Sequence, residues 1–552
     1  MHFHHLLPWA LPALVLATDC TPPSILPHIS LPPGLVLLPS TITVSIVSNY
    51  SLPATATSPG HPSLTFCNIT LSYTRTNRPS VPITLRFFLP TTPFFKSRFL
   101  ATGGGGLSLT SGERSLYPGL VHGAATGTTD GGFRNLADVI LHSEGRMDYD
   151  MLYSYAFNGI RELGRIGKAL TLGFYGTEKV WMYFQGCSEG GREGLSMAQR
   201  FGREWDGVAA GAPAMRQAML QVVHLFPLLV EQKHHYEGGP CELEEVDRGV
   251  IEGCDGADGR VDGVVSRSEL CGSEIKGVVG RGFKCPARAG GPAVEGRVGE
   301  LAVTVAEEIL AGLKDGKGRR VYIPVRPGSG FADAAMTWNV TTSKWGAVAG
   351  GLGLQYVNLF LKEVQDRTLD LEGVTGDTLR EWMLEGMKKF ADTLQTNWPD
   401  LSEYRDHGGK VLHWHGEADG GISAGSSVVY LDAVRRTMYP GLGLREGFAK
   451  MDEWYRFFLI PGAGHCGPNP QQPNGPFPQD LFGTLIDWVE KGINPGRLNT
   501  TVLGGPLKGT QQELCGWPLR PLWKDGVLDC VYDQPAVESW LPELDSIPVP
   551  VY

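Results

Sequence analysis

The 552-residue sequence has no excess of basic residues and no apolar run long enough to cross a bilayer. It contains 48 Lys and Arg against 58 Asp and Glu, a formal net charge of -10, which argues against the basic surface that binds nucleic acid backbones. Repeats, low-complexity tracts and long runs of like charge are also missing. What remains is the composition of a globular protein, and the length predicts a large domain with an insertion or two domains.

The N-terminus predicts a secretory signal peptide at residues 1–17. A short apolar stretch at residues 6–16 leads to the small residue Ala17 and contains two prolines, so a membrane anchor or a buried helix fits less well. An n-region without Lys or Arg is atypical of such signals. We therefore expect a secreted, extracellular protein that does not bind a membrane.

Ten cysteines follow that segment, and an even number in an oxidising compartment predicts disulfides. Both this feature and the sequons for N-glycosylation agree with the secretory route. The sequons lie at Asn49, Asn68, Asn339 and Asn499.

The order of the predicted elements is that of an α/β fold with an insertion. β-branched and aromatic segments predict strands within residues 68–101 and at 180–184, 410–415 and 456–460. The stretch before residue 405 is rich in glycine and charge and lacks this alternation, so we predict a lid domain there. The expected division is residues 18–214 for the first part of the core, 215–404 for the lid and 405–552 for the second part of the core.

Ser188 is the predicted nucleophile. The segment Gly186-Cys187-Ser188-Glu189-Gly190 lies between a predicted strand and a predicted helix. This is the context of a nucleophile elbow, because small residues allow the sharp turn that exposes the serine hydroxyl. Ser423 has the same Gly-x-Ser-x-Gly pattern but does not sit at a strand end, so we interpret it as incidental. The alternative for Ser188 is a glycine-rich turn with an incidental serine.

A serine nucleophile needs a base to take its proton and an acid to orient that base. Both are expected downstream of the nucleophile, acid first, each just after a strand. Asp419 follows the first of the two late strands, and His465 follows the second. Glu417 and Asp406 compete with Asp419, but Glu417 comes early in the turn and Asp406 precedes the strand.

Two neighbouring features follow from this assignment. His413 and His415 fall inside a strand, so we predict that they are core or pocket residues. Cys187 precedes the nucleophile and Cys466 follows the base, so a correct triad would bring these cysteines within reach of a disulfide.

Two N–H donors are expected to stabilise the tetrahedral oxyanion. The backbone of Glu189, directly after the nucleophile, is expected to supply one. The second is expected from the glycine run at 103–106, at Gly104 or Gly105, because a side chain there would crowd the substrate carbonyl.

A second site is predicted in the lid. Three carboxylates alternate with turn-forming glycines in a segment bounded by Cys254 and Cys271, and hard oxygen ligands on a tight loop suit calcium. The alternative is a plain acidic surface loop, and any metal here is expected to be structural. The predicted Ca²⁺ ligands are the side chains of Asp255, Asp258 and Asp262 and the backbone carbonyls near Arg260 and Val264.

Together these motifs resemble the fungal tannase and feruloyl esterase family, and within it the tannases. The resemblance runs from Cys67 to Asp533 and is most specific where one cysteine precedes the serine and another follows the histidine. Arg192-Glu193 and the Cys-Glu-Leu-Glu at Cys241 look more like tannases than like feruloyl esterases. The matching segments are GCSEGGREGLSMAQRFG, WDGVAAGAPA, GPCELEEV, CDGADGRVDGVVS, GGKVLHWHGEAD, YRFFLIPGAGHCG and CGWPLRPLW.

This resemblance implies an α/β-hydrolase core with a large inserted lid, the triad Ser188, Asp419 and His465, and structural calcium in the lid. The implied substrate is a small phenolic ester: a galloyl ester of a tannin or a simple gallate, or alternatively a feruloyl ester of the plant cell wall. The pairs it implies are Cys187–Cys466, Cys20–Cys67, Cys254–Cys271 and Cys515–Cys530, which leaves Cys241 with Cys285.

Two departures from the family pattern bear on function. Asp419 is followed by Gly420-Gly421 where relatives have Asp-Pro, which predicts a looser acid loop, and the lid at 277–294 is short and glycine-rich. The altered acid loop leaves a non-catalytic phenolic-binding protein as an alternative, and the short lid bears on substrate preference, because the resemblance implies that the lid forms the phenolic pocket. Metal-dependent hydrolysis at the Asp-Gly loop is a further alternative.

Overall fold

The computed structural model describes residues 20–56, 58–271, 274–334, 336–347, 351–366 and 368–547. The predicted signal peptide lies outside these residues. The strands are β1 Leu35–Leu52, β2 His61–Arg75, β3 Arg78–Pro90, β4 Arg98–Thr102, β5 Ala124–Thr129, β6 Trp181–Cys187, β7 Gly207–Gly211, β8 Gly282–Cys285, β9 Val294–Arg297, β10 Met336–Asn339, β11 Lys344–Ala347, β12 Lys410–Gly416, β13 Tyr455–Ile460, β14 Pro476–Phe477, β15 Arg497–Val502, β16 Gln511–Cys515, β17 Leu519–Lys524 and β18 Val527–Tyr532.

The helices lie on both sides of a large sheet and in the insertion. They are α1 Pro22–Ile25, α2 Tyr117–Val121, α3 Tyr149–Tyr153, α4 Gly159–Tyr175, α5 Glu189–Arg200, α6 Gln217–Val223, α7 Phe226–Lys233, α8 Pro240–Cys254, α9 Glu300–Ala311, α10 Gly351–Gln355, α11 Gly376–Lys389, α12 Ser402–Asp406, α13 Ala424–Met438, α14 Leu444–Met451, α15 Leu481–Lys491 and α16 Gln534–Glu538.

The large sheet has the strand order β1-β2-β3-β5-β4-β6-β7-β12-β13. Strands β1, β2, β3 and β5 pair antiparallel, and from β5 to β13 every neighbouring pair is parallel. Strands β7, β12 and β13 are buried along almost their whole length, as expected for parallel strands covered on both faces. Parallel strands end at one edge of a sheet, so the residues that follow β6, β12 and β13 are brought to the same place. The predicted α/β class is confirmed.

The predicted lid enters and leaves the sheet between neighbouring strands. Strand β7 pairs directly with β12, and among the described residues the intervening chain adds no strand to the large sheet. Apolar residues between Val230 and Trp345 form a cluster of their own, whereas Met219 and Leu379 lie in the main core. The flanks of the predicted lid at 215–404 therefore pack with the hydrolase core.

All ten cysteines are paired, in the five combinations expected from the sequence. Within the described ranges, no helix combines the length and the apolarity needed to cross a membrane. The disulfides are Cys20–Cys67, Cys187–Cys466, Cys241–Cys285, Cys254–Cys271 and Cys515–Cys530.

Candidate active site

The turn between β6 and α5 presents Ser188 at the edge of the sheet. Its backbone has φ 63° and ψ -121°, a conformation that costs energy for a residue with a side chain. Gly186 and Gly190 make the turn possible, because a Cβ on Gly186 would lie 2.6 Å from the Gly190 backbone. The Ser188 N–H donates to the carbonyl of Gly211 on β7 at 2.9 Å, which ties the turn to the next strand.

The structure brings Ser188, His465 and Asp419 together as the sequence predicts. The Oγ of Ser188 lies 2.9 Å from Nε2 of His465, and Nδ1 of His465 lies 2.8 Å from Oδ2 of Asp419. Burial lowers the pKa of His465, but the hydrogen bond and the charge of Asp419 outweigh this effect and raise it above its ordinary value. An imidazole of raised pKa is a stronger base toward the serine proton.

Asp419 is fully buried, and hydrogen-bond donors surround both of its carboxylate oxygens. Oδ1 accepts from the N–H groups of Gly421 and Ile422, each at 2.9 Å. Oδ2 faces Nδ1 of His465 at 2.8 Å and Nε2 of His415 at 3.2 Å. Burial opposes ionisation, but these hydrogen bonds outweigh it and hold the pKa of Asp419 well below its ordinary value. Asp419 is therefore a permanent anion beside the base.

The competing residues face elsewhere. Oε1 of Glu417 accepts hydrogen bonds from Ser268 and Arg520, each at 2.7 Å. The exposed Asp406 pairs with its neighbour Arg405, and the buried Ser423 donates its hydroxyl hydrogen to the Pro324 carbonyl at 2.5 Å.

The acid loop is fixed, in contrast to the looser loop expected from Gly420-Gly421. Besides the four donors on Asp419, the lid contacts this loop directly, because a Cβ on Gly420 would lie 2.4 Å from the Ser329 carbonyl oxygen. Glycine at position 420 therefore allows the lid backbone to approach the acid loop.

The glycine run does not present the amides that the sequence predicts as oxyanion donors. The Gly104 N–H donates to Oε2 of Glu193 at 3.1 Å, and the Gly105 N–H donates to the Ser108 carbonyl at 3.1 Å. Both hydrogens are thus engaged within the protein, which corrects the assignment of Gly104 and Gly105. The Glu189 N–H begins α5, where helix geometry leaves an amide without an intrahelical partner, so it retains the expected role.

The glycines serve instead to pack the loop against α5. A Cβ on Gly103 would lie 2.4 Å from Oε2 of Glu193, and a Cβ on Gly104 would lie 1.9 Å from the Ser108 carbonyl oxygen. Burial raises the pKa of Glu193 well above its ordinary value. Beside it, Nε of Arg192 donates to both carboxylate oxygens of Glu189 at 2.8 and 2.9 Å. This buried cluster fixes the first turns of α5 beneath the nucleophile.

Residues next to the triad form a disulfide and line a cavity. The Cys187–Cys466 disulfide joins the residue before the nucleophile to the residue after the base, across 279 residues of sequence. A cavity lies between the lid and the acid loop and is lined by Phe226, Phe331 and Gly421, among others. A Cβ on Gly421 would also lie 3.9 Å from Cγ of His465, so this glycine lies beside the imidazole.

The Asp-Gly loop of the lid satisfies its carboxylates internally. Both oxygens of Asp255 accept from backbone N–H groups, including that of Gly263 at 2.8 Å. Oδ2 of Asp262 pairs with Nε of Arg260 at 2.9 Å, and Asp258 accepts from Ser266. Among the described residues, no three Asp, Glu, His or Cys side chains converge as metal ligands.

The charge of this loop nevertheless fits a divalent cation. Among the described residues, the three carboxylates have one ion-paired cation, Arg260. Burial raises the pKa of Asp262 to about 6 and raises that of Asp258, so the carboxylates are desolvated. Hard oxygen donors with uncompensated charge are the chemistry that calcium requires.

The sequons differ in accessibility. Asn49, Asn339 and Asn499 are exposed. Asn68 is half-buried in the middle of β2, and its amide oxygen is buried.

Two groups of residues beside the site have contacts that the sequence does not predict. Glu193 accepts from the Gly104 N–H. His413 and His415 are buried, as predicted for core residues, but the contact of His415 with Asp419 is not predicted. Their alternation within β12 places both imidazoles on one face, and the four-residue spacing from His415 to Asp419 is a signal that could have identified the contact.

Comparisons with known proteins agree with this geometry. A family model described as tannase and feruloyl esterase matches residues 67–537. The tannase of Aspergillus oryzae is 39% identical over 556 residues, which cover 94% of this chain and 93% of the relative. The tannin acyl hydrolase from Aspergillus niger has a TM-score of 0.93 at 42% identity, covering 97% of this chain and 98% of that one. Feruloyl esterase B from Aspergillus oryzae shares the fold, with a TM-score of 0.70 at 23% identity over 91% of this chain and 98% of that one.

Proposed function

From the premise that the chain belongs to the tannase and feruloyl esterase family, we propose that it hydrolyses galloyl esters of tannins and simple gallates through an acyl-enzyme on Ser188. The chain is a carboxylic ester hydrolase. The observation that carries the serine mechanism is the continuous hydrogen-bonded series from Ser188 through His465 to Asp419. The preference for gallate is supported by the similarity to tannases.

In the first half-reaction, Nε2 of His465 takes the hydroxyl proton while Oγ of Ser188 bonds to the ester carbonyl carbon. The oxyanion accepts a hydrogen bond from the N–H of Glu189 at the start of α5, where the helix dipole also favours negative charge. The intermediate collapses as the C–O bond to the alcohol breaks, and His465 returns its proton to the departing oxygen.

In the second half-reaction, water takes the place of the alcohol. His465 removes one proton from water, the resulting hydroxide attacks the acyl carbon, and the acid leaves as Oγ of Ser188 recovers its proton. Asp419 stabilises the imidazolium in both halves and keeps Nδ1 protonated, so that Nε2 faces the serine.

We expect methyl gallate to be hydrolysed with a kcat/KM at least about 10-fold higher than that of methyl ferulate, because a site that hydrogen-bonds the ring hydroxyls penalises a substrate that lacks them. The assay is steady-state hydrolysis by the purified secreted protein.

A reversed ratio would assign the enzyme to feruloyl esters. Labelling of Ser188 by a serine-directed fluorophosphonate without turnover of either ester would indicate a different ester substrate. Failure of labelling in folded protein would support the phenolic-binding alternative.

The proposal includes secretion and glycosylation. The five disulfides fit an oxidising compartment, and a free small phenolic ester is the partner. Asn49, Asn339 and Asn499 are the sequons whose exposure suits glycan attachment.

We also propose that the lid binds structural calcium through Asp255, Asp258 and Asp262 with the carbonyls near Arg260 and Val264. Ca²⁺ supplies charge compensation there and takes no part in ester cleavage. Chelation with EDTA is expected to lower Tm by about 5 °C, because a ligand that binds only the folded state stabilises it. Turnover at low temperature should persist.

The matched control for chelation is Asp258→Asn, which should remove most of the EDTA effect. An unchanged Tm in the wild type would contradict the calcium proposal. Loss of activity without any change in Tm would instead support metal-dependent hydrolysis.

A further inference from the structure

A buried row of hydrogen-bonded side chains ends at the carboxylate of Asp419. His413 and His415 project from β12, Ser427 comes from α13 and Tyr455 begins β13, and each is at most 1% exposed. The distances are 2.9 Å from Tyr455 Oη to His413 Nδ1, 2.8 Å from His413 Nε2 to Ser427 Oγ, and 2.7 Å from Ser427 Oγ to His415 Nδ1. None of these residues takes part in the mechanism described above.

The neighbours of His415 determine which of its nitrogens carries the hydrogen. Nε2 lies 2.9 Å from the Ile422 carbonyl oxygen and 3.2 Å from Oδ2 of Asp419. Both of these atoms only accept, because Asp419 is ionised, so Nε2 of His415 must be the donor. In the neutral imidazole, Nδ1 is then an acceptor.

The remaining hydrogens follow in one direction. The Ser427 hydroxyl donates to Nδ1 of His415, so its oxygen must accept from Nε2 of His413. Nδ1 of His413 then accepts from the Tyr455 hydroxyl. Burial lowers the pKa of His413 and raises that of Tyr455, which keeps both groups neutral. Every donor in the row points toward Asp419, and hydrogen bonds aligned in this way polarise one another.

We propose that His415, held in its Nε2–H tautomer by Ser427, His413 and Tyr455, is a positioning residue whose hydrogen bond to Oδ2 of Asp419 controls how strongly that oxygen binds His465. The two imidazoles share one carboxylate oxygen. The hydrogen bond from His415 offsets part of the negative charge on this oxygen and so weakens the attraction between the oxygen and His465. It also holds the carboxylate from its buried side, on β12.

The charged and titratable neighbours of Asp419 leave His415 as the group that can act in this way. His465 approaches from the loop after β13 and His415 from β12. Glu417, in the same turn, faces Ser268 and Arg520. From the lid, Gly420 meets the neutral backbone of Ser329.

The test compares two substitutions by their pH dependence. His415→Leu removes the donor, so Asp419 should hold His465 more strongly and raise its pKa. His465 must be unprotonated to act as the base, so the acid limb of the kcat/KM profile should move up by about 0.5 pH unit or more. The plateau of that profile should fall about 10-fold. His415→Gln retains an N–H at a similar distance from the backbone, so the acid limb of its kcat/KM profile should match that of the wild type.

The matched control is His122→Gln. Nε2 of His122 lies 2.7 Å from Oδ1 of Asp480, and neither residue belongs to the triad. This substitution should leave the limb unchanged. A lower plateau with an unmoved limb in His415→Leu, or equal behaviour of the Leu and Gln variants, would overturn the proposal. The assay uses whichever methyl ester the wild type hydrolyses, so its outcome is independent of the gallate preference.

Two further measurements do not depend on the folding of the Leu variant. Ser427→Ala leaves His415 in place without its donor, and a smaller limb shift in the same direction is expected; no shift would refute the role of the row. In ¹⁵N-histidine-labelled wild type, His413 and His415 should both be found as Nε2–H tautomers. An Nδ1–H tautomer of either ring would refute the proton order.

Discussion

Replacement of Ser188 with alanine is expected to lower kcat/KM by about 10⁴-fold or more while the protein remains folded. The reason is that, within the described part of the chain, the hydroxyl hydrogen-bonded to Nε2 of His465 is that of Ser188, at 2.9 Å. Alanine must adopt the same positive φ as serine at this turn, so the cost of the backbone conformation is nearly unchanged. Hydrolysis of methyl gallate and thermal unfolding measure the two effects.

Ser423→Ala is the matched control, because Ser423 lies in a second Gly-x-Ser-x-Gly segment. Its hydroxyl is buried and bonded to the Pro324 carbonyl. Losing that bond should cost about 1 kcal/mol of stability and leave turnover close to that of the wild type. Equal activity of Ser188→Ala and wild type would end the serine-esterase assignment.

Asp419→Asn is expected to lower kcat/KM by about 10³- to 10⁴-fold. Two backbone N–H groups donate to Oδ1 and two imidazoles face Oδ2. An asparagine amide offers one oxygen to these four donors and turns an NH₂ group toward the others. His465 would then lose the tautomer that leaves Nε2 free to accept the serine proton.

Glu417→Gln is the corresponding control, because Glu417 is the next acid along the turn. Its carboxylate binds Ser268 and Arg520, so the change should lower stability and leave most turnover in the protein that folds. A loss of activity in Glu417→Gln equal to that in Asp419→Asn would show that the acid had been assigned to the wrong residue.

Local signals in the sequence account for much of this site. The small residues around Ser188 identify a turn between a strand and a helix, and Asp419 and His465 each follow a strand of the same sheet. Because parallel strands end at one edge, strand order and position along the chain were enough to predict their meeting. The Cys187–Cys466 pair then followed from proximity.

The partners of individual amides and carboxylates could not be predicted in this way. Gly104 looks like an oxyanion donor because glycine permits close approach of a backbone. The group that approaches is the side chain of Glu193, 89 residues later in the sequence. Gly420 predicts a looser acid loop, but the Ser329 carbonyl oxygen occupies the space that a side chain at position 420 would take.

The amino-acid sequence alone therefore determined the α/β class, the family resemblance and the residues of the triad, because each depends on short segments whose residue types permit few conformations. Only the tertiary structure decided which N–H groups are free, how the lid meets the acid loop and which way hydrogens point from Tyr455 toward Asp419. These outcomes depend on distances of a few ångströms between elements far apart in the chain, and sequence spacing carries no information at that scale.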